Sequence, residues 1–377
     1  MSLTNFPTAQ KRTKLLAWTG ALALVVLVTL GAFAKNGWLP STDPFSGKKT
    51  GWFGKELPNT ASSSWNPYAA PLPTPTPQLS KEYIYAGSRM LAVEDANATA
   101  ALPADLAIWR PSTGTWWVMG GAGGSQPATQ AWGNSTDKVV PGDYDGDGKT
   151  DFAVFRPSTG EWYILRTSDS AWETVITWGL STDIRVPADY DGDGKTDRAV
   201  WRPSDNIWYI FRSSDNSAIY LTYGSSGDVP SPADYDGDGR ADLGLWRNSN
   251  QTFYWVNSSN GVATSAGLGT SSTEPVSADY DGDGKADQAI RNGANWIIRQ
   301  SSTGSSTTVS WEQSTDIAVP NDYDGDGKCD IAVWRPVDSP SGTLGHWYIR
   351  QSGSGNSLRD VGWGILNDVP VPALYRR

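Results

Sequence analysis

Hydrophobic residues obey three successive rules along this chain. From Leu15 to Leu30 they run almost unbroken, from Lys35 to about Leu79 they show no period, and from residue 80 onward they fall into short alternating runs punctuated by Gly, Pro, Asn, Asp and Ser. Runs of that kind, rich in Val, Ile, Trp and Tyr, predict strands rather than helices. They also recur. One unit reads Ala199-Val-Trp-Arg202, then Ile207-Trp-Tyr-Ile-Phe-Arg212, then Ile219-Tyr-Leu-Thr-Tyr-Gly224, then Gly227-Asp-Val-Pro-Ser-Pro-Ala233. Four short strands in a period of about 45 residues match one blade of a β-propeller. The expected fold is therefore all-β: a propeller of four-stranded blades occupying residues 80–377.

The blade count follows from the copies. Five are complete. A sixth opens the domain with Ala107-Ile-Trp-Arg-Pro-Ser112 and Thr115-Trp-Trp-Val118, and the chain ends on Asp368-Val-Pro-Val-Pro-Ala-Leu-Tyr375, a copy of the first strand with nothing after it. A leftover strand of that kind closes a ring by pairing with the other terminus. Six blades are favoured, with seven the alternative.

The segments before residue 80 read differently. Lys11, Arg12 and Lys14 precede the apolar run, and Gly31-Ala-Phe-Ala34 offers small residues at a signal-peptidase site, so residues 1–34 are read as a signal peptide or a retained signal anchor. Residues 35–79, ending in the Pro-rich stretch Asn66-Pro-Tyr-Ala-Ala-Pro-Leu-Pro-Thr-Pro-Thr-Pro77, are read as an extended linker. The remainder is expected to be secreted or held at the cell surface, touching membrane only through that anchor.

The joints between strands carry the chemistry. The nine residues D-Y-D-G-D-G-[K/R]-x-D begin at Asp143, Asp189, Asp234, Asp279 and Asp322, with starts 46, 45, 45 and 43 residues apart. Carboxylates stand at positions 1, 3, 5 and 9: Asp143, Asp145, Asp147 and Asp151; Asp189, Asp191, Asp193 and Asp197; Asp234, Asp236, Asp238 and Asp242; Asp279, Asp281, Asp283 and Asp287; Asp322, Asp324, Asp326 and Asp330. A hairpin turn needs one Asp-Gly. Four carboxylates in nine residues repel one another unless a cation neutralises them, and oxygen ligands with a turn glycine at position 6 suit Ca2+, the position-7 carbonyl completing the set. About five Ca2+ are expected. The helix-loop-helix calcium motif is excluded, because its position-12 Glu is replaced by Val154, Val200, Leu245, Ile290 and Val333. The stretch before the sixth copy, Glu94 to Asp105, offers only Asp95, Asn97 and Asp105, so no calcium or only weak binding is expected there.

Charge says the same thing. The five loops hold half of the 40 acidic residues, and five Ca2+ would cancel the formal charge of -10. With no basic stripe, a nucleic-acid partner is excluded. The lone Cys329 rules out a disulfide scaffold and reads as a small residue at loop position 8.

With D-x-D-x-D-G-x-x-D followed by an A-V-W-R strand, the chain resembles the FG-GAP or VCBS repeat family, which includes the integrin alpha-subunit propellers. The resemblance implies a propeller with calcium in its hairpin loops and assigns ligand roles to the twenty Asp named above. The FG-GAP dipeptides themselves are absent.

The remaining recurrent residues are aromatic and basic. Trp109, Trp201, Trp246 and Trp334, with Trp116, Trp162, Trp208, Trp296 and Trp347, are expected to pack between blades, sugar contact being the alternative for some of them. Arg110, Arg156, Arg202, Arg247 and Arg335 are expected to stack on rings or pair with Asp, with the same alternative. No catalytic constellation is recognised. His346 is the sole histidine, and no G-x-S-x-G, H-E-x-x-H or Cys/His pairing occurs. The expected function is a monomeric adhesion or ligand-binding module for a glycan or an extracellular protein surface; the alternative is a polysaccharide-acting lyase or hydrolase, with His346 the first residue to test.

Overall fold

The computed structural model of the protein describes residues 102–120, 127–271, 274–336 and 344–373, together with the backbone of the strands Ser41–Thr42, Lys49–Thr50, Lys81–Ala86 and Arg89–Asp95. The chain divides into two units, Met1–Asn66 and Pro67–Arg377. In the first, Ser41–Thr42 pairs with Lys49–Thr50. The signal or anchor read over residues 1–34 lies outside the described residues, as does most of the linker. No helix among the described residues is long and apolar enough to cross a membrane.

Among the described residues the second unit holds a two-stranded hairpin, Lys81–Ala86 with Arg89–Asp95, and six antiparallel four-stranded sheets. These sheets are the six blades of a propeller ring. In chain order blade I joins Val369–Pro370, Leu106–Arg110, Thr115–Met119 and Ala128–Ala131; blade II runs Lys138–Val139, Phe152–Arg156, Glu161–Leu165, Ile176–Thr177. Blade III runs Ile184–Arg185, Arg198–Arg202, Ile207–Phe211, Ala218–Thr222, and blade IV Val229–Pro230, Leu243–Arg247, Thr252–Val256, Ala263–Gly267. Blade V runs Glu274–Pro275, Gln288–Asn292, Asn295–Arg299, Ser306–Ser310, and blade VI Ile317–Ala318, Ile331–Arg335, Leu344–Gln351, Ser357–Ile365. The first strand of blade I comes from the C-terminal end: Val369 faces Trp109 and Pro370 faces Ile108. The leftover strand closes the ring, as its sequence implied, and the count is six.

Burial explains the residue types of each strand. The second strand is buried on both faces, as in Arg198-Ala-Val-Trp; the third alternates, as in Ile207-Trp-Tyr-Ile-Phe; the fourth is largely exposed. Only the third needs an alternating pattern, so the second reads as a continuous apolar run. The nine recurrent tryptophans are 0–2 % exposed, which settles them as packing.

The indole N–H groups of Trp109, Trp116, Trp162, Trp201, Trp208, Trp334 and Trp347 each find a backbone carbonyl, most of them through one repeated device, whereas Trp296 Nε1 in blade V is buried with no partner. The carbonyl of Trp132, at the end of blade I, accepts both the Trp109 and Trp116 indoles at 3.2 and 3.0 Å, and the Tyr223 and Trp363 carbonyls do the same for Trp201 with Trp208 and Trp334 with Trp347. A second indole then crosses to the next blade. Trp132 donates to the Tyr163 carbonyl, Trp178 to that of Tyr209 and Trp311 to that of Tyr348, at 3.0–3.2 Å. Each such bond spares a buried donor its desolvation cost and fixes one blade on its neighbour.

The recurrent arginines are committed in the same way. Arg110, Arg156, Arg202, Arg247 and Arg335 each place Nε and Nη2 on both oxygens of one Asp in the turn before the first strand: Asp368, Asp137, Asp183, Asp228 and Asp316, at 2.7–3.0 Å. Four of these guanidinium groups also lie 4.1–4.6 Å over the rings of Tyr163, Tyr209, Tyr254 and Tyr348, and Arg110 lies over Trp117. Blade V departs from the rule. It carries Arg291 where the others have an aromatic ring, and this buried guanidinium donates to Glu274 and to the Gln313 and Asp316 carbonyls of the turn entering blade VI.

Candidate metal centres

The five Asp-rich loops join the first and second strands of blades II to VI, and each is closed at its base by an isolated bridge, Gly142 to Asp151 in blade II and Ala188 to Asp197 in blade III. The position-1 carboxylate folds the loop inward. Asp143 accepts from Gly146 N–H at 2.6 Å and Gly148 N–H at 2.7 Å, and the same two bonds recur on Asp189, Asp234, Asp279 and Asp322. Both glycines hold φ near +80°, which the tight turn requires.

The fold brings the carboxylates of positions 1, 3 and 9 together. Asp143, Asp145 and Asp151 place one oxygen each within 4.8 Å of the others, as do Asp189, Asp191 and Asp197; Asp234, Asp236 and Asp242; Asp279, Asp281 and Asp287; and Asp322, Asp324 and Asp330. The position-5 carboxylates are not among these three. Asp147, Asp193, Asp238, Asp283 and Asp326 each accept from the N–H of their own position-7 residue at 2.8–2.9 Å, on the flank of the loop.

Sequence reasoning missed a second loop. The turn between strands three and four of the same blade carries a hydroxyl pair, Thr167-Ser168, Ser213-Ser214, Ser258-Ser259 or Ser301-Ser302, that wraps the Asp loop. Its first N–H donates to the position-9 carboxylate at 2.6–2.7 Å: Thr167 to Asp151, Ser213 to Asp197, Ser258 to Asp242, Ser301 to Asp287, and Ser352 to Asp330. The second hydroxyl holds the position-3 carboxylate, Ser214 on Asp191, Ser259 on Asp236 and Ser302 on Asp281 at 2.5 Å, with Ser168 on Asp145 likewise. Blade VI substitutes Gly353, whose N–H reaches Asp324 at 3.0 Å. The available signal was a Ser or Thr 16 residues after position 9 in blades II, III and IV, a spacing that blades V and VI break with 14 and 22.

Electrostatics make these loops unstable as bare anions. Burial, reinforced by neighbouring carboxylates, pushes Asp151, Asp189, Asp234, Asp287 and Asp330 up to about 7 and Asp279 to about 6, and also holds Asp197 and Asp242 well above the ordinary carboxylate range. Two triad oxygens, Asp281 Oδ1 and Asp324 Oδ1, are buried with no hydrogen-bond partner. An orphaned buried carboxylate oxygen is costly, and a divalent cation is the partner whose charge and oxygen preference answer that cost. Five Asp triads are thus arranged to hold a metal ion and are compatible with Ca2+.

The sixth position is different. Asp105 takes the position-9 place, bridged to Ala373 as Asp151 is to Gly142, but no Asp loop joins it to the first strand, which arrives from the C-terminal end. Asp95 ends the strand Arg89–Asp95, and Asn97 lies outside the described residues. His346, the sole histidine, faces Asp360, with Nδ1 2.9 Å from Oδ1, beside the Tyr348 ring.

No curated protein sequence matches the chain. Among solved structures, TolB from Acinetobacter baumannii is 17 % identical with a TM-score of 0.50, over 73 % of this chain and 66 % of that one. An Agrocybe aegerita lectin that recognises non-reducing terminal N-acetylglucosamine is 13 % identical with a TM-score of 0.51, over 78 % of this chain and 100 % of the lectin. Virginiamycin B lyase from Staphylococcus aureus is 12 % identical with a TM-score of 0.42, over 78 % and 87 %. The first two show a shared fold and nothing finer. The family model of the FG-GAP-like repeat matches residues 189–245 and 234–290, each span running from one Asp loop through the next. The protein is a six-blade propeller carrying FG-GAP-like repeats.

Proposed function

We propose that the protein is an exported, calcium-stabilised propeller that acts as a surface or secreted ligand-binding module, with a glycan or an extracellular protein as its ligand. The observation that carries the calcium part is the fivefold recurrence of a buried Asp triad wrapped by a second, hydroxyl-bearing loop. The position-1, -3 and -9 carboxylates would hold Ca2+, with the position-5 carboxylates and the carbonyls of Lys149, Lys195, Arg240, Lys285 and Lys328 available to complete its oxygen shell. Bound Ca2+ would supply charge neutralisation rather than chemistry. Near-uniform loops support a structural role for the metal, because an enzyme breaks repeat symmetry to build one site.

The ligand surface has to lie outside the nine buried tryptophans and the five Asp-paired arginines. Aromatic rings do reach solvent at the rim: Tyr220 is 59 % exposed and lies 5.4 Å from Tyr209 and 6.1 Å from Trp178. The aligned positions on the fourth strand hold Thr129, Ser265, Thr308 and Asp360. Glycan-array binding with and without calcium tests the reading. Calcium-dependent retention of one glycan class supports it, and an array empty in both conditions removes the glycan arm. A polysaccharide-acting enzyme is the second reading, favoured by the His346–Asp360 pair, which leaves Nε2 of the ring available as a base.

A further inference from the structure

The metal loops touch one another around the ring, always in the same direction. The N–H at position 8 of each loop donates to the position-1 carbonyl of the loop in the preceding blade: Thr196 to Asp143, Ala241 to Asp189, Ala286 to Asp234 and Cys329 to Asp279, at 2.7–2.8 Å. The residue that lends that carbonyl also lends a carboxylate to its triad. A second contact runs beside the first. A methyl group placed on Gly146 would fall 3.1 Å from Lys195 Cγ, on Gly192 2.9 Å from Arg240 Cγ, on Gly237 3.1 Å from Lys285 Cε and on Gly282 2.9 Å from Lys328 Cε. The position-7 stem therefore lies flat against the position-4 glycine of the preceding loop. By contrast, Gly194, Gly284 and Gly327 at position 6 meet nothing within 4 Å, so their glycine is needed for φ alone.

From these contacts we infer that each metal site is positioned by the next blade: Lys195, Arg240, Lys285 and Lys328, together with the position-8 amide beside each, are positioning residues for the Asp triads of blades II, III, IV and V respectively. The inference rests on the calcium reading of the loops. Its physical basis is that a triad of mutually repelling carboxylates keeps its spacing only if the backbone carrying it is fixed. Within the loop that backbone is held by glycines, the least restrained residues available. The brace from the next blade supplies the restraint that the loop's own sequence lacks. It also links the sites, because the residues bracing one site belong to the metal loop of the next. The series ends on blade VI, where the Asp322 carbonyl accepts from Ala104 N–H at 2.8 Å and Pro103 stands in place of the basic residue. That site has the amide brace without the stem.

The test is a double-mutant cycle read by calcium titration calorimetry on the whole chain. Lys195→Ala removes the stem and is expected to weaken one site roughly fivefold, the scale of losing a few packed methylenes. Lys195→Met, which keeps the stem and drops the charge, should restore it. In an Asp145→Asn background, where the blade II site is already lost, Lys195→Ala should have no further effect on the remaining sites. The inference is overturned if Lys195→Ala leaves every site unchanged, or if it weakens the remaining sites just as much in the Asp145→Asn background, since Lys195 would then act on its own loop. Wild-type protein that binds no calcium would instead remove the metal reading itself, a result visible before any variant is made.

Discussion

Stripping the metal should invert the pH dependence of stability. Asp151, Asp189, Asp234, Asp287 and Asp330 are held near 7 in the fold by burial and by their neighbours, against an ordinary value of 3.8. A carboxylate raised in this way contributes stability below its unfolded value and loses it as pH rises through the folded one. The window is therefore about 4 to 7, and each such group costs the metal-free protein on the order of 4 kcal/mol at its upper end. Between about pH 5 and pH 7.5 the loss per group is roughly 2–3 kcal/mol, and a single group is enough to move the melting temperature by about 5 °C in a domain of this size. Bound Ca2+ competes with protons for the same oxygens, so saturating calcium should stabilise most where the carboxylates are ionised. The assay is scanning calorimetry of protein freed of metal by chelator and desalting, at both pH values, with and without calcium. Metal-free protein should melt lower at the higher pH, and calcium should raise that melt more than the one at lower pH. A metal-free melt that is as high at pH 7.5 as at pH 5 would show that the triads are not forced together as bare anions.

Site-directed changes give three further outcomes. Asp191→Ala with Asp193→Ala should remove one ion from the calcium count of the wild-type protein, whereas Asp95→Ala should remove none; metal analysis of both variants decides it. Arg202→Ala should destabilise by about 3 kcal/mol in chemical denaturation, because it strands the buried Asp183 carboxylate, and Arg202→Lys should fail to restore it, since one ammonium cannot replace the paired Nε and Nη2 bonds. On an immobilised acidic polysaccharide the domain should be retained without releasing new reducing or unsaturated ends. Turnover that is abolished by His346→Ala would establish the enzyme reading instead.

What was legible in the chain was whatever recurs within one blade. The 45-residue period, the four strands, the closing strand at Val369 and the carboxylates of positions 1, 3 and 9 are local patterns, set by side-chain alternation and by charges too close together to stand alone. The hydroxyl turn is not legible in the sequence, although Ser213 follows Asp197 by the same 16 residues that separate Thr167 from Asp151 and Ser258 from Asp242, because Ser in a hairpin turn carries no signal of its own until the turn is known to fold over a neighbouring loop. The stem of Lys195 was harder still. A basic residue at position 7 reads as a solvated charge balancing its own loop, and only the ring puts its methylenes on Gly146 of another blade. The same holds for the indole of Trp178, whose acceptor is the Tyr209 carbonyl, 31 residues away. Repeat sequences encode the unit strongly and the joint weakly, since the unit's contacts lie within one repeat and the joint's reach into the next. In this protein the joints are where the metal loops are braced, so the coupling between sites is a property of the closed ring that no single repeat carries.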